Sequence, residues 1–182
     1  MRINQVVLFP SVPLFGGEGI TSGRYTEKEA VHGYMDSILE HMEEDRIVCR
    51  VHSDSEPILP NTLLIHCQIG LDKPNSKAKC NMATVDFVGQ GALPLATLLC
   101  EALVDWGKSY VDFHHKTANP KVANEPHYDD TLGVIIKPFK INGPQVDDYM
   151  RSLDQLGKTI AYSIYEFMLS RGEQPNVMKV DK

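Results

Sequence analysis

The chain has no Cys-x-x-Cys pair, and its four cysteines, Cys49, Cys67, Cys80 and Cys100, are scattered. That spacing argues against a zinc ribbon, a thioredoxin-type motif and a disulfide scaffold. It favours reduced thiols packed as small hydrophobes. Basic residues do not concentrate either. The densest run, Lys73 to Lys79, holds three lysines in a loop-like segment, and the net charge is -6. Nucleic-acid binding needs a concentrated basic footprint, so that class is set aside. No apolar run approaches the ~20 residues of a membrane helix. Met1-Arg2-Ile3-Asn4-Gln5 opens no signal-peptide pattern, so the expectation is synthesis in a cytoplasm. Internal repeats and low-complexity tracts are also missing.

What is present is ordinary globular composition: 182 residues, 42% hydrophobic and 23% charged. This suffices for one domain with its own core. The reading is a domain over residues 1–172 and a frayed tail over 173–182. Ile3 to Phe9 is short, apolar and β-branched, and reads as a buried strand closed by Pro10. A turn-rich loop with four glycines follows to Gly23. Thr26-Glu27-Lys28-Glu29 then forms a capping box. Behind it Ala30, Val31, Tyr34, Met35, Ile38, Leu39 and Met42 make one apolar face, predicting a helix over 26–44.

Further strands are predicted over 46–52, 62–69, 82–88, 109–115 and 132–139. A helix over 92–106 is apolar nearly all round and is expected to be buried on most sides. A last helix over 145–171 carries the stripe Val146, Met150, Leu153, Leu156, Ile160, Ile164 and Met168, with Gly172 as its stop. The alternation predicts an α/β fold: one three-layer domain, with a six-stranded mixed sheet flanked by helices. Ligands in such folds sit at loops beyond the strand ends.

Several chemistries fail on sequence. Gly16-Gly17-Glu18-Gly19 has no Gly-Lys-Ser/Thr after it and opens no helix, so it is neither a Walker loop nor a dinucleotide fingerprint. There is no Gly-x-Ser-x-Gly elbow and no His-Glu-x-x-His. Glu29 and His32 share a helix face, which a solvated surface already accounts for. Two residues stand out. Glu27 lies at the mouth of the first helix after a glycine-rich loop, where the helix dipole alone favours an acid. His66 interrupts the apolar strand Thr62-Leu63-Leu64-Ile65-His66-Cys67.

These pieces, VVLFPS at 6–11, YTEKEAVHGYMDSI at 25–38, RVHSD at 50–54, LIHCQIG at 64–70, ALPLATLLCEAL at 92–103 and GVIIKPFKIN at 133–142, resemble the zinc-dependent N-acetylmuramoyl-L-alanine amidases of the Amidase_3 type. The resemblance spans nearly the whole chain in element order. It implies a zinc held by His, Glu and His with a water in the open position, and a second Glu acting on that water. Glu27 matches the metal glutamate and His66 the second metal histidine.

The other two positions depart from the family. Where its first histidine would follow the first strand, this chain reads Phe9-Pro10-Ser11-Val12, and residues 1–17 contain no His, Asp or Glu. Ile136 occupies the place of the second glutamate, and residues 131–146 contain no acid and no histidine. Replacements would have to come from loops: Glu18 or His127 as a ligand, with Asp129 or Asp130 as a base. The cluster His127, Asp129 and Asp130 is the expected ligand-binding place. The leading expectation is thus an amidase-fold protein with a decayed zinc site, binding a peptidoglycan fragment or a protein partner without hydrolysis. The second is a divergent zinc amidase with relocated ligands. The third is a structural module of a phage or envelope assembly, delivered by lysis or in a virion.

Overall fold

The computed structural model describes residues 2–12, 17–53, 57–71, 81–110, 115–117, 121–122 and 132–172. Its elements in chain order are β1 (Gln5–Pro10), a small hairpin of β2 (Thr21–Ser22) and β3 (Tyr25–Thr26), α1 (Glu27–Glu44), β4 (Cys49–Val51), β5 (Thr62–Cys67) and β6 (Asn81–Val88). A 3-10 turn at Gln90–Ala92 leads into α2 (Leu93–Tyr110). Then come β7 (His115–Thr117), β8 (Lys121–Val122), β9 (Leu132–Lys137), α3 (Val146–Arg151) and α4 (Leu153–Ser170).

Among the described residues the sheet is mixed and has seven strands, where the sequence predicts six. Its order is β4-β1-β5-β9-β6-β7, with β8 also on β6. β4, β1, β5 and β9 run parallel, and β6 runs antiparallel to β9. The four parallel strands therefore end at one side, where the connections after β1, β5 and β9 gather. In α/β sheets that is where ligands are held.

Side chains alternate across each strand. Val6, Leu8, Leu63, Ile65, Cys67, Val134 and Ile136 face a core shared with α1, α2 and α4. On the other face Val88 and Ile135 form a second, smaller cluster. The α1 stripe is buried as its spacing predicts, and the capping box is formed. Thr26 Oγ1 accepts from the Glu29 amide at 3.1 Å, and Glu29 Oε2 accepts from the Thr26 amide at 2.9 Å.

Two expectations change and one is refined. Helix α2 continues to Tyr110, so 109–115 is not one strand. Helix α2 is buried on most sides, as its composition predicts, but keeps one open face. Leu93, Thr97, Glu101 and Asp105, spaced by four, leave one face to solvent, while Leu95, Ala96, Leu99 and Leu103 go inward. The last helix is broken at Ser152, whose hydroxyl donates to the carbonyls of Asp148 (3.0 Å) and Tyr149 (3.1 Å). A serine hydroxyl bonded back to its own helix competes with the main-chain ladder, which is how a continuous apolar stripe conceals a break.

Candidate functional site

The site is built from the end of β1, the segment 17–26 and the first turn of α1. Thr26 caps the helix, so Glu27 becomes its first residue and its carboxylate is drawn to the positive end of the helix dipole. Glu27 is 8% exposed, a low value for an acid. Burial at that level requires partners for both oxygens. Oε1 accepts from the Ser11 hydroxyl at 2.5 Å, and Oε2 accepts from the Ile20 amide at 3.1 Å. The Glu27 amide in turn donates to the Ile20 carbonyl at 2.7 Å.

Glycine at 19 is required here. Its φ is +69°, and a side chain would meet Val12 Cγ2 at 2.5 Å and Glu27 Oε2 at 2.8 Å. Val12 is itself buried, and its carbonyl lies 2.9 Å from His32 Nε2. His32 is thus a neighbour of the strand end, while Glu29 belongs to the helix cap. Glu18 is exposed, and its backbone carbonyl accepts from the Lys28 amide at 3.2 Å.

His66 stands on β5 with Phe9 of β1 as its register partner. The two rings stack with centroids 4.8 Å apart and planes inclined by 14°. On the far side of Phe9, His52 stacks at 4.2 Å and 25°. The row His52–Phe9–His66 lies on the sheet face opposite the helices, since Leu8 and Ile65, its neighbours in sequence, point into the helical core. Glu27 and His66 therefore belong to the same end of the β1–β5 pair, each through its own β1 neighbour, Ser11 and Phe9.

Behind Glu27, Tyr34 is fully buried and donates to the Gln68 carbonyl at 3.1 Å. Its burial, followed by the nearby Cys67 thiol and Glu27, holds the phenol well above its usual range. Cys67 is buried and free, and burial raises its thiol as well. Ile136, which the sequence resemblance sets against the family's second glutamate, is fully buried in the helix-facing core. His127, Asp129 and Asp130 lie outside the described residues, as does Cys80.

Sequence reasoning singled out Glu27 and His66 but not their partners Ser11, Ile20, Phe9 and His52. The missed signal was modest: the hydroxyl directly beyond β1 is the first side chain there able to donate to a carboxylate.

The sequence matches no protein-family model, and no curated protein is a match. Solved structures do match. The N-acetylmuramoyl-L-alanine amidase AmiC2 of Nostoc punctiforme superposes with a TM-score of 0.68 at 13% identity, over 93% of this chain and 99% of that one. The CwlD amidase of Clostridioides difficile, in complex with the GerS lipoprotein, gives 0.69 at 9% identity over 92% and 100%. An N-acetylmuramoyl-L-alanine amidase from Clostridium difficile 630 gives 0.65 at 15% identity over 94% and 100%. The fold is that of the N-acetylmuramoyl-L-alanine amidases.

The zinc that the sequence resemblance implies can be tested against the donors present in this amidase fold. A hydrolytic zinc takes three protein ligands and leaves one position open. Among the described residues no group of three or more His, Cys, Asp or Glu is placed to hold a metal ion. Glu27 has both oxygens engaged by protein donors. The strand end beside it offers Phe9, Pro10, Ser11 and Val12, none a usual zinc ligand. The described residues do not fit a zinc ion. Among them, no helix is long and apolar enough to cross a membrane.

Proposed function

We propose that this chain uses the amidase fold to bind, without hydrolysing, a peptidoglycan fragment or a protein that works on the cell wall. The observation that carries the reading is the state of Glu27. The carboxylate that would face a metal in a hydrolase is held by the Ser11 hydroxyl and the Ile20 amide, and among the described residues no companion ligands stand with it. Metal-assisted hydrolysis also needs a group to take the proton of the attacking water. The corresponding position is Ile136, an alkyl side chain sealed in the core. What remains is the sheet-end surface framed by the loops after β1, β5 and β9, in a fold whose solved relatives carry amidase names.

The test pairs binding with turnover. Purified chain is incubated with purified peptidoglycan and added zinc, and the mixture is separated by sedimentation. The expected outcome is co-sedimentation with the insoluble wall, or capture of a wall-associated protein, and no new peptide in the supernatant. Peptide release that is lost on His66→Ala would overturn the proposal and restore a zinc amidase with ligands from elsewhere, beginning with His127.

A further inference from the structure

The segment between β1 and α1 is closed in a way that does not call for an ion. Four backbone and side-chain links converge within it. Ser11 donates to Glu27 Oε1 at 2.5 Å, and the Ile20 amide donates to Glu27 Oε2 at 3.1 Å. The Glu27 amide donates to the Ile20 carbonyl at 2.7 Å, and the Lys28 amide to the Glu18 carbonyl at 3.2 Å. Gly19, with φ +69°, is wedged between Val12 and the Glu27 carboxylate with no room for a side chain. At the tip of the hairpin, Arg24 Nη2 reaches Asp147 Oδ1 of α3 at 2.5 Å. The segment is therefore tied at its base to the start of α1 and at its tip to α3.

We propose that Ser11 and Glu27 form a metal-free latch that holds the 17–26 segment as a fixed wall of the site, and that Glu27 is a positioning residue with no role as a metal ligand. This shares with the proposed function the absence of a catalytic ion, but it rests on the geometry of Glu27 alone. Both oxygens sit on short-range donors from two different segments, β1's end and the glycine loop. Each oxygen keeps a further lone pair, so a cation reaching Glu27 would have to share it with these donors and find its other ligands nearby. The strand end beside it offers Phe9, Pro10, Ser11 and Val12, and among the described residues no second or third His, Cys, Asp or Glu stands with Glu27 to complete a metal site. The same latch explains Ser11. A hydroxyl donates one hydrogen bond, which is what Oε1 needs.

The latch has a readout independent of turnover: hydrogen exchange at the Ile20 amide, measured residue by residue on the full chain. In the native protein that amide exchanges slowly. In Glu27→Gln its exchange rises at least tenfold, because a neutral amide oxygen replaces a carboxylate acceptor at the helix start. In Ser11→Ala, a change at an exposed position that leaves the core untouched, it rises a few-fold. Zinc at 1 mM leaves the native rate unchanged, and isothermal titration with zinc alone gives no binding heat that depends on Glu27. Acceleration of Ile20 exchange by zinc, or stoichiometric zinc binding that disappears in Glu27→Gln, would overturn the latch. So would native exchange as fast as in both variants. Peptide release from peptidoglycan with Ile20 still protected would defeat the proposed function and leave the latch standing.

Discussion

Ser37 of α1 lies directly against Gly157 of α4. The Ser37 hydroxyl donates to the Asp154 carbonyl at 2.7 Å, and a methyl group at 157 would come within 2.6 Å of the Tyr34 carbonyl. The two helices approach this closely because neither offers a bulky side chain at the crossing. Main chain cannot give way as a flexible side-chain tip can. Gly157→Ala is expected to cost about 1–3 kcal/mol despite alanine's better helix propensity. Urea unfolding followed by circular dichroism checks this. A variant as stable as the parent would mean that α1 and α4 slide apart freely.

The second prediction concerns metal. A ligand that binds the folded chain raises its stability by about 2.7 kcal/mol at a hundredfold excess over its dissociation constant. With Glu27 engaged by Ser11 and Ile20, neither EDTA nor added zinc is expected to move the thermal midpoint. Differential scanning calorimetry with and without each reagent reads this directly. A clear upward shift with zinc would place a metal site in this chain.

The third separates a structural His66 from a ligand. The ring stacked on Phe9 contributes through its flat face, and aromatic pairs of this kind are worth about 0.5–1.5 kcal/mol beyond simple burial. His66→Ala is expected to lose about that much, with some additional loss of packing. His66→Phe preserves the stack and is expected to keep most of the stability. If both substitutions destabilise equally, the imidazole nitrogens rather than the ring are what the fold uses.

The fourth is a pH dependence. Burial pushes the Cys49 thiol up to about 12, against about 8.5 for an exposed cysteine. In the unfolded chain the proton leaves near 8.5; in the folded chain it stays until about 12. The stability linked to this thiol is therefore complete below about pH 8.5 and falls as pH rises from there through 12. Denaturation midpoints measured from pH 7 to 10.5 should decline, and Cys49→Ala should flatten part of that decline. Below pH 8, a thiol-specific reagent should label the buried Cys67 only as the protein unfolds.

The sequence carried α1 in full because three independent signals agreed there. The capping box at Thr26 and Glu29, the 3.6-residue apolar spacing and the glycines before it all named one helix start. It carried β1, β5 and β9 because β-branched apolar runs bounded by turns have few other uses. It could not carry the break at Ser152, since the stripe on either side keeps its phase and the competing bond is made by one hydroxyl. Glu27 and His66 were legible as unusual residue types in apolar or helix-start settings. Their engagements were not. Ser11 meets Glu27 sixteen positions away only because β1 ends where α1 begins. Likewise the His52–Phe9–His66 row depends on β1 being seated between β5 and β4, with His52 just past the end of β4.

One margin of the sheet is β4, just three residues long, and β6 at the other side carries β7 and β8, of three and two residues. Long flat edges are templates for uncontrolled pairing with other chains, and short ones are a common protection. Among the described residues the four longest strands are all interior or half-covered, and the β4 edge offers an incoming extended peptide a ladder of three residues. The chain should therefore stay free of edge-to-edge self-association at high concentration.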